Sequence, residues 1–240
     1  MKRLLRDRVL HTVGIVVPVH NEEDLLPDAL QALERAIDEL SPSISCRVAL
    51  VLDSCGDASS TIARCWAVRR NALVVRRECR SVGLARRFGF AALLARWPEV
   101  DLTRVWLATT DADSRVPQDW LTVQVNAYRS GIDLWAGRIK VSEESGTVLR
   151  WAECYAAELD PIHGASLGFC AAQYEELGGF GRLPSGEDRD LYERAVDAGL
   201  RIRHDSEAIV VTSSRRKGRA PAGFAGVLGG LDEEELDETA

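Results

Sequence analysis

The chain has 240 residues, 46% of them apolar, enough to bury a full α/β core in one domain. Its formal charge is −7, but six acids and no base fall in the last ten residues, LDEEELDETA, so the remainder is near neutral and lacks the basic balance of a nucleic-acid-binding protein. No run approaches the roughly twenty apolar residues that span a bilayer, and MKRLLRDRVLHTVG is too charged for a signal peptide, which excludes a transmembrane segment and points to a cytoplasmic chain. Cysteines 46, 55, 65, 79, 154 and 170 contain no Cys-x-x-Cys pair, as expected of reduced thiols.

Along the chain, TVGIVVP is a short apolar run ending in proline. In the following NEEDLLPDALQALERAIDEL, Leu26, Leu30, Leu33, Ile37 and Leu40 recur at helical spacing. The pattern repeats as RVALVLD then DASSTIARCWAV, ALVVR then GLARRFGFAALLARW, and RVWLATTD then PQDWLTVQVNAYRS. Four strand-then-helix units predict a Rossmann-like α/β fold, a mostly parallel sheet with helices on both faces. DLWAGRIKV reads as a further strand, TVLRWAECYAAELD and GEDRDLYERAVDAGL as helices, and IRHDSEAIVVTS as a closing strand or hairpin.

Polar residues gather where these strands end: PVHNEE after the first, DSCGD after the second, DAD after the fourth. Open α/β sheets bind ligands beyond the carboxyl ends of their strands, so three such ends offer carboxylates to one crevice. Asp111 and Asp113, two residues apart on an extended segment, point the same way and repel unless a positive group lies between them. A hard divalent cation, Mn²⁺ or Mg²⁺, suits that pair and leaves positions open for phosphate oxygens. For an isolated Asp-x-Asp a plain strand-to-loop turn is the better account.

The ordered series VGIVVPVHNEE, VALVLDSCGDASST, SVGLARRFGF, WLATTDADS, LGGF and GEDRDLYERAVDAGLRI resembles family 2 glycosyltransferases of the A-type fold, over about residues 12 to 212. The resemblance implies one domain over residues 1–230, with a nucleotide-sugar-binding half at about 12–115 and an acceptor-binding half at about 116–225, followed by an acidic, disordered tail at 231–240. It assigns donor binding to Pro18, Asn21, Glu22, Asp53, Arg86, Asp111 and Asp113, and metal binding to Asp111 and Asp113, with His204 as a further ligand. Asp53 matches the aspartate that holds the base, and Asp57 the second acid of its loop. Two departures stand out: Leu52 replaces the first of two adjacent aspartates, and Arg87 an asparagine. Helix-capping by Asn21, dipole compensation by Glu22 and a solvated helix face for both arginines are alternatives that need no ligand.

In the same resemblance Asp188 is the general base that deprotonates an acceptor hydroxyl, and Glu187 positions the acceptor or the base. A capping-box-like start made by Ser185 and Asp188 is the structural alternative. His163 and Gly178-Gly179 fall in the acceptor-side segment. Arg215, Arg216, Lys217 and Arg219 form a basic loop suited to a diphosphate or a phosphorylated acceptor. No Gln-x-x-Arg-Trp motif of processive synthases is present, so transfer of a single sugar is expected, from a UDP-linked donor to a small-molecule or lipid-linked hydroxyl, with inversion. Peripheral contact with the inner membrane face stays open. The rivals are a retaining relative, a nucleotidyltransferase, which normally opens with a glycine-rich loop absent here, and a non-catalytic nucleotide-sugar-binding module.

Overall fold

A computed structural model describes residues 8–142 and 162–213. The predicted helix over TVLRWAECYAAELD, the basic loop at 215–219 and the acidic tail at 231–240 lie outside the described residues.

The four expected β–α units are β1 (Thr12–Val19) and α1 (Leu26–Asp38), β2 (Ser45–Asp53) and α2 (Ser59–Arg70), β3 (Leu73–Arg77) and α3 (Val82–Leu94), and β4 (Val105–Thr109) and α4 (Trp120–Arg129). They are followed by β5 (Leu134–Val141), β6 (Leu167–Cys170), α5 (Ala171–Glu176), α6 (Glu187–Asp197) and β7 (Ile202–Thr212). The seven strands form one sheet in the order β3-β2-β1-β4-β6-β5-β7. β6 runs antiparallel to both of its neighbours, and every other pairing is parallel.

Strand alternation divides the core between two faces. Val13, Ile15 and Val17 of β1 pack with the buried residues of α1, α2 and α4, whereas Val16 packs with those of α3, α5 and α6. The amphipathic stripe of α1 buries Leu26, Leu30, Leu33 and Ala36, and Pro27 sits in its first turn, where an amide hydrogen has no helical acceptor to lose. The closing segment is a single long strand. It pairs in parallel with β5, with one irregularity between Gly137 and Ile139.

Crossovers from β1, β2 and β4 bring their polar loops to the same edge of the sheet. β6 enters that edge from the opposite direction, with its first residue Leu167 level with Thr109 at the end of β4. Among the described residues no helix is long and apolar enough to cross a membrane.

Candidate functional site

The loops after β1 and β2 are fastened to each other by their polar residues. Asn21, at φ 52°, accepts the Gly56 amide through Oδ1 at 2.7 Å. The Glu23 amide donates to Asp57 Oδ2 at 3.1 Å, and the Ala58 amide returns a bond to Glu23 Oε2 at 2.8 Å. Burial pushes the Asp57 carboxyl up, but hydrogen bonds from Ser59 and Glu23 outweigh it and leave it below its ordinary value. The Glu22 amide donates to Ser59 Oγ at 2.7 Å and the residue is buried. Neither sequence alternative for this motif holds. α1 starts at Leu26 after Leu25 with no side-chain cap, so Asn21 does not cap it, and the acid in its first turn is Asp28, not Glu22. Pro18, the last residue but one of β1, lies opposite Val51 of β2 and is half-buried.

Asp53 has a structural task that its sequence neighbours do not reveal. Its Oδ1 accepts the Cys79 amide at 2.7 Å, the Arg80 amide at 3.1 Å and the Ser54 hydroxyl at 3.2 Å, and Oδ2 accepts the Ser81 amide at 3.3 Å. The carboxylate thereby folds the β3–α3 loop back onto the end of β2, with Arg80 at φ 48°. Ser81, fixed by that loop, caps α3 by accepting the Leu84 amide. A cleft of about 570 Å³ opens beside Asp53, at the ends of β2 and β3, between Ser54, Cys55, Ser60, Arg76 and Arg77.

The centre of the site is Arg86. Its side chain is 3% exposed, donates from Nη2 to Asp111 Oδ1 at 2.6 Å and from Nη1 to Glu187 Oε1 at 2.5 Å, and lies over the Phe180 ring at 5.5 Å. Arg86 therefore sits neither on a solvated helix face nor exposed to a diphosphate. It joins α3, the loop after β4 and the start of α6. The positive group that the Asp111/Asp113 pair demanded is in part the protein's own. Burial alone would lower the Arg86 guanidinium, but Asp111, Glu187 and Asp188 overcome it and hold it above its ordinary value. Burial likewise raises the Glu187 carboxyl against the pull of Arg86, with Asp188 adding to the rise.

Asp188 follows Glu187 and is half-buried. Its Oδ2 accepts the Gly164 amide at 2.8 Å and its Oδ1 the Arg189 amide at 2.9 Å. The capping-box expectation fails: α6 is preceded by Gly186 at φ 73°, with no side-chain cap bond. Gly164, which the sequence did not single out, is close-packed for a reason. A Cβ there would lie 2.2 to 2.4 Å from the guanidinium atoms of Arg86. A Cβ on Gly83 would meet Glu187 at 2.7 Å, so the α3–α6 approach also depends on a missing side chain.

Asp113 is half-buried two residues beyond Asp111, with Ser114 Oγ 3.2 Å from its Oδ1. Ser114 Oγ also lies 2.9 Å from Thr212 Oγ1, and the Arg115 amide donates to Val211 at 2.7 Å, so the end of β7 braces this loop. His204 sits eight residues earlier on β7, level with Ala136, with Nε2 3.2 Å from the Tyr192 hydroxyl. Three strand spacings of about 4.8 Å part its row from β4. Among the described residues no three His, Cys, Asp or Glu side chains gather as a metal-binding group, so His204 does not join Asp111 and Asp113 here. Arg87 is exposed and donates to the Phe180 carbonyl at 3.3 Å. Gly178 and Gly179, at φ 79° and 68°, close α5, as a helix C-terminus requires.

A parallel half-sheet ending in carboxylates, joined through a reversed strand to a helix that opens with Glu187 and Asp188, is the A-type glycosyltransferase architecture. The chain belongs to glycosyl transferase family 2, whose family profile matches residues 14–182.

Among curated relatives it is 30% identical over 148 residues to an undecaprenyl-phosphate 4-deoxy-4-formamido-L-arabinose transferase of Pseudomonas fluorescens (strain Pf0-1), covering 61% of this chain and 41% of that one. It is 32% identical over 142 residues to the same-named protein of Pseudomonas aeruginosa (strain LESB58), covering 58% and 38%. The chain thus spans about two fifths of the length of these relatives. In fold it is similar to S. aureus TarS 1-349 in complex with UDP, with a TM-score of 0.65 at 15% identity over 94% of this chain and 65% of that one. It is also similar to the mannosyltransferase PcManGT from Pyrobaculum calidifontis in complex with GDP-Man and Mn²⁺, with a TM-score of 0.62 at 21% identity over 90% and 68%.

Proposed function

We propose that the chain transfers one sugar from a nucleoside diphosphate donor, UDP-linked, to an oxygen of a lipid-linked acceptor, with inversion at the anomeric carbon. The observation that carries this reading is the juxtaposition of Asp111, Glu187 and Asp188 around Arg86, at the strand ends where such a sheet binds its ligand. The acceptor oxygen attacks the anomeric carbon, the bond from that carbon to the diphosphate oxygen breaks, and the diphosphate leaves with the electron pair. Asp188 takes the acceptor hydroxyl's proton as the new bond forms. Its two main-chain hydrogen bonds hold the carboxylate in place while it remains half-exposed.

The residues present fit a hard divalent cation. Mg²⁺ and Mn²⁺ take carboxylate oxygens, one or two from protein being sufficient when a diphosphate supplies others. Asp113 would hold the ion together with Asp111, whose Oδ1 is engaged by Arg86 while the side chain remains 33% exposed. Such an ion, when bound, offsets charge developing on the leaving diphosphate. The curated relatives bear the name of undecaprenyl-phosphate transferases, which favours a lipid-linked acceptor and, with it, peripheral association with a membrane.

Those names also raise a second reading, in which the nucleophile is a phosphate oxygen. A phosphate monoester, with a second pKa of about 6, arrives largely deprotonated at neutral pH and needs no base.

Titration of UDP and UDP-sugars with Mn²⁺ and then with EDTA, followed by donor hydrolysis and transfer, tests the proposal. Asp188→Asn keeps the side chain's size. With a hydroxyl acceptor it should leave donor affinity within a few-fold while transfer falls by about 10² to 10⁴. Near-normal transfer to a lipid phosphate would favour the second reading. A wild-type chain that binds no nucleotide sugar would overturn both.

A further inference from the structure

We propose that Arg86 is a positioning residue: it sets the donor-side carboxylate Asp111 and the acceptor-side pair Glu187 and Asp188 at one fixed spacing and does not itself bind the donor. The inference rests on the transferase reading above and reassigns the arginine that the sequence resemblance placed among the donor-binding residues.

Five contacts define the arrangement. The two terminal nitrogens of one planar fork each meet a different carboxylate, Asp111 at 2.6 Å and Glu187 at 2.5 Å, across chain separations of 25 and 101 residues. The Phe180 ring lies over the guanidinium. The Gly164 main chain packs so closely that a methyl group would overlap Nη1, Nη2 and Cζ. The same Gly164 presents its amide to Asp188 Oδ2 at 2.8 Å. Three acids drawn from two segments are therefore referenced to one rigid group, two directly and Asp188 through the glycine that rests on it.

Burial excludes the alternative. At 3% exposure, with Nη1 and Nη2 each on a carboxylate and Nε buried without a partner among the described residues, the guanidinium presents no accessible donor to a diphosphate unless the groups packed around it move. Guanidinium geometry also matters beyond its charge. An ammonium is a point charge that cannot hold two carboxylates in one plane at a set angle, so lysine supplies the charge without the spacing. Misplacing reacting groups by about 1 Å costs about a hundredfold in rate even when binding is intact.

The test compares wild type with Arg86→Lys and Gly164→Ala. It reads UDP affinity with Mn²⁺ by calorimetry, single-turnover donor cleavage, and the urea midpoint. For Arg86→Lys, UDP affinity should stay within about threefold while turnover falls about a hundredfold. Gly164→Ala retains every charge and should show the same split, because its methyl displaces the guanidinium. Should Arg86→Lys prove too unstable to assay, Arg86→Met combined with Glu187→Gln removes one charge of each sign from the buried site. That pair should recover the urea midpoint lost in Arg86→Met alone, and its turnover is read against Glu187→Gln alone: the pair should be at least tenfold slower than that single variant, which a merely structural role, once stability is restored, would not produce.

The assignment is overturned if Arg86→Lys turns over within about threefold of wild type, or if it loses tenfold or more in UDP affinity while uridine binding is unchanged, the signature of a diphosphate ligand. Recovery of activity together with stability in the double variant would also overturn it. A wild type that binds no nucleotide and cleaves no donor overturns the transferase reading itself and this assignment with it, an outcome distinct from active wild type with unaffected variants.

Discussion

Replacing Asp53 by alanine should cost this protein stability before it costs anything else. The carboxylate accepts three main-chain amides and one hydroxyl, so Asp53→Ala leaves the Cys79, Arg80 and Ser81 amides without their acceptor in a half-buried loop. Hydrogen bonds to a charged group contribute about 1.5–3 kcal/mol each. The Cys79 bond at 2.7 Å belongs at the strong end, whereas those at 3.1 and 3.3 Å are weaker and water can replace part of them. The sum is about 3 kcal/mol, which for a domain of this size lowers the melting temperature by about 6–12 °C. Asp53→Asn should be milder. Oδ1 can still accept from Cys79 and Arg80, and the amide nitrogen merely faces the Ser81 amide across the longest bond, a loss of about 1 kcal/mol. Thermal and urea unfolding of the two variants without nucleotide, followed by binding of UDP, GDP, CDP and ADP, checks the order. An Asp53→Ala variant that melts with wild type yet loses its base preference would refute the reasoning and return the carboxylate to the ligand.

Asp133, buried at the start of β5, takes Arg8 at 2.6 Å and Arg201 at 3.2 Å, and although burial pushes its carboxyl up, the hydrogen bonds to Arg201 and Arg8 bring it below its ordinary value. A depressed folded pKa means that its stabilisation is complete above the ordinary carboxylate range and is lost as pH falls through the lower value. The melting temperature of Asp133→Asn should therefore lie several degrees under wild type at pH 7 and converge with it on acidification; a gap that does not narrow would argue against the ion pairs. Burial pushes the Cys46 thiol up to about 12 and also raises Cys170, while Cys65 is exposed. Peptide mapping after iodoacetamide at pH 7.5 should find Cys65 alkylated in the native protein, the half-buried Cys46 much more slowly, and Cys170 only after unfolding. Labelling of native Cys46 at the Cys65 rate would contradict its raised thiol.

The β–α units were legible because each pairs a run of β-branched or apolar residues with a helical stripe, patterns that depend on near neighbours. β6 was not. LGFC is four residues long, is buried on both faces and shows no alternation, so nothing local separates it from a loop; its strand character comes from β4 and β5 on either side. Asp111, Asp113 and Asp188 could be singled out because acids at strand ends and helix starts are conspicuous. Arg86 could be found but not interpreted. Its partners lie 25 and 101 residues away, and a sequence shows an arginine's charge without showing that two distant carboxylates consume it. Asp53 and Asn21 taught the complementary lesson: Asp53 accepts amides of the β3–α3 loop, which has no sequence signature, and Asn21 accepts an amide of the DSCGD loop, whose pairing with the loop after β1 the sequence does not show.

The reversed strand also dictates an order of assembly. β3, β2, β1 and β4 are contiguous in the sheet and complete by residue 109, whereas β5 cannot reach β4 except through β6. During synthesis, therefore, β4 ends the growing sheet with an open row of backbone donors and acceptors until residues 167–170 have emerged, 58 to 61 residues later. At about 5–20 residues per second that interval is about 3 to 12 s, long compared with the microseconds in which a hairpin closes. The unfinished edge carries Val105, Trp106 and Leu107, all fully buried in the finished protein, so it is an aggregation-prone surface for as long as it waits. Chains truncated between β5 and β6 should be retained by chaperones or precipitate, and supplying the missing four-residue insert in its own context is what releases them.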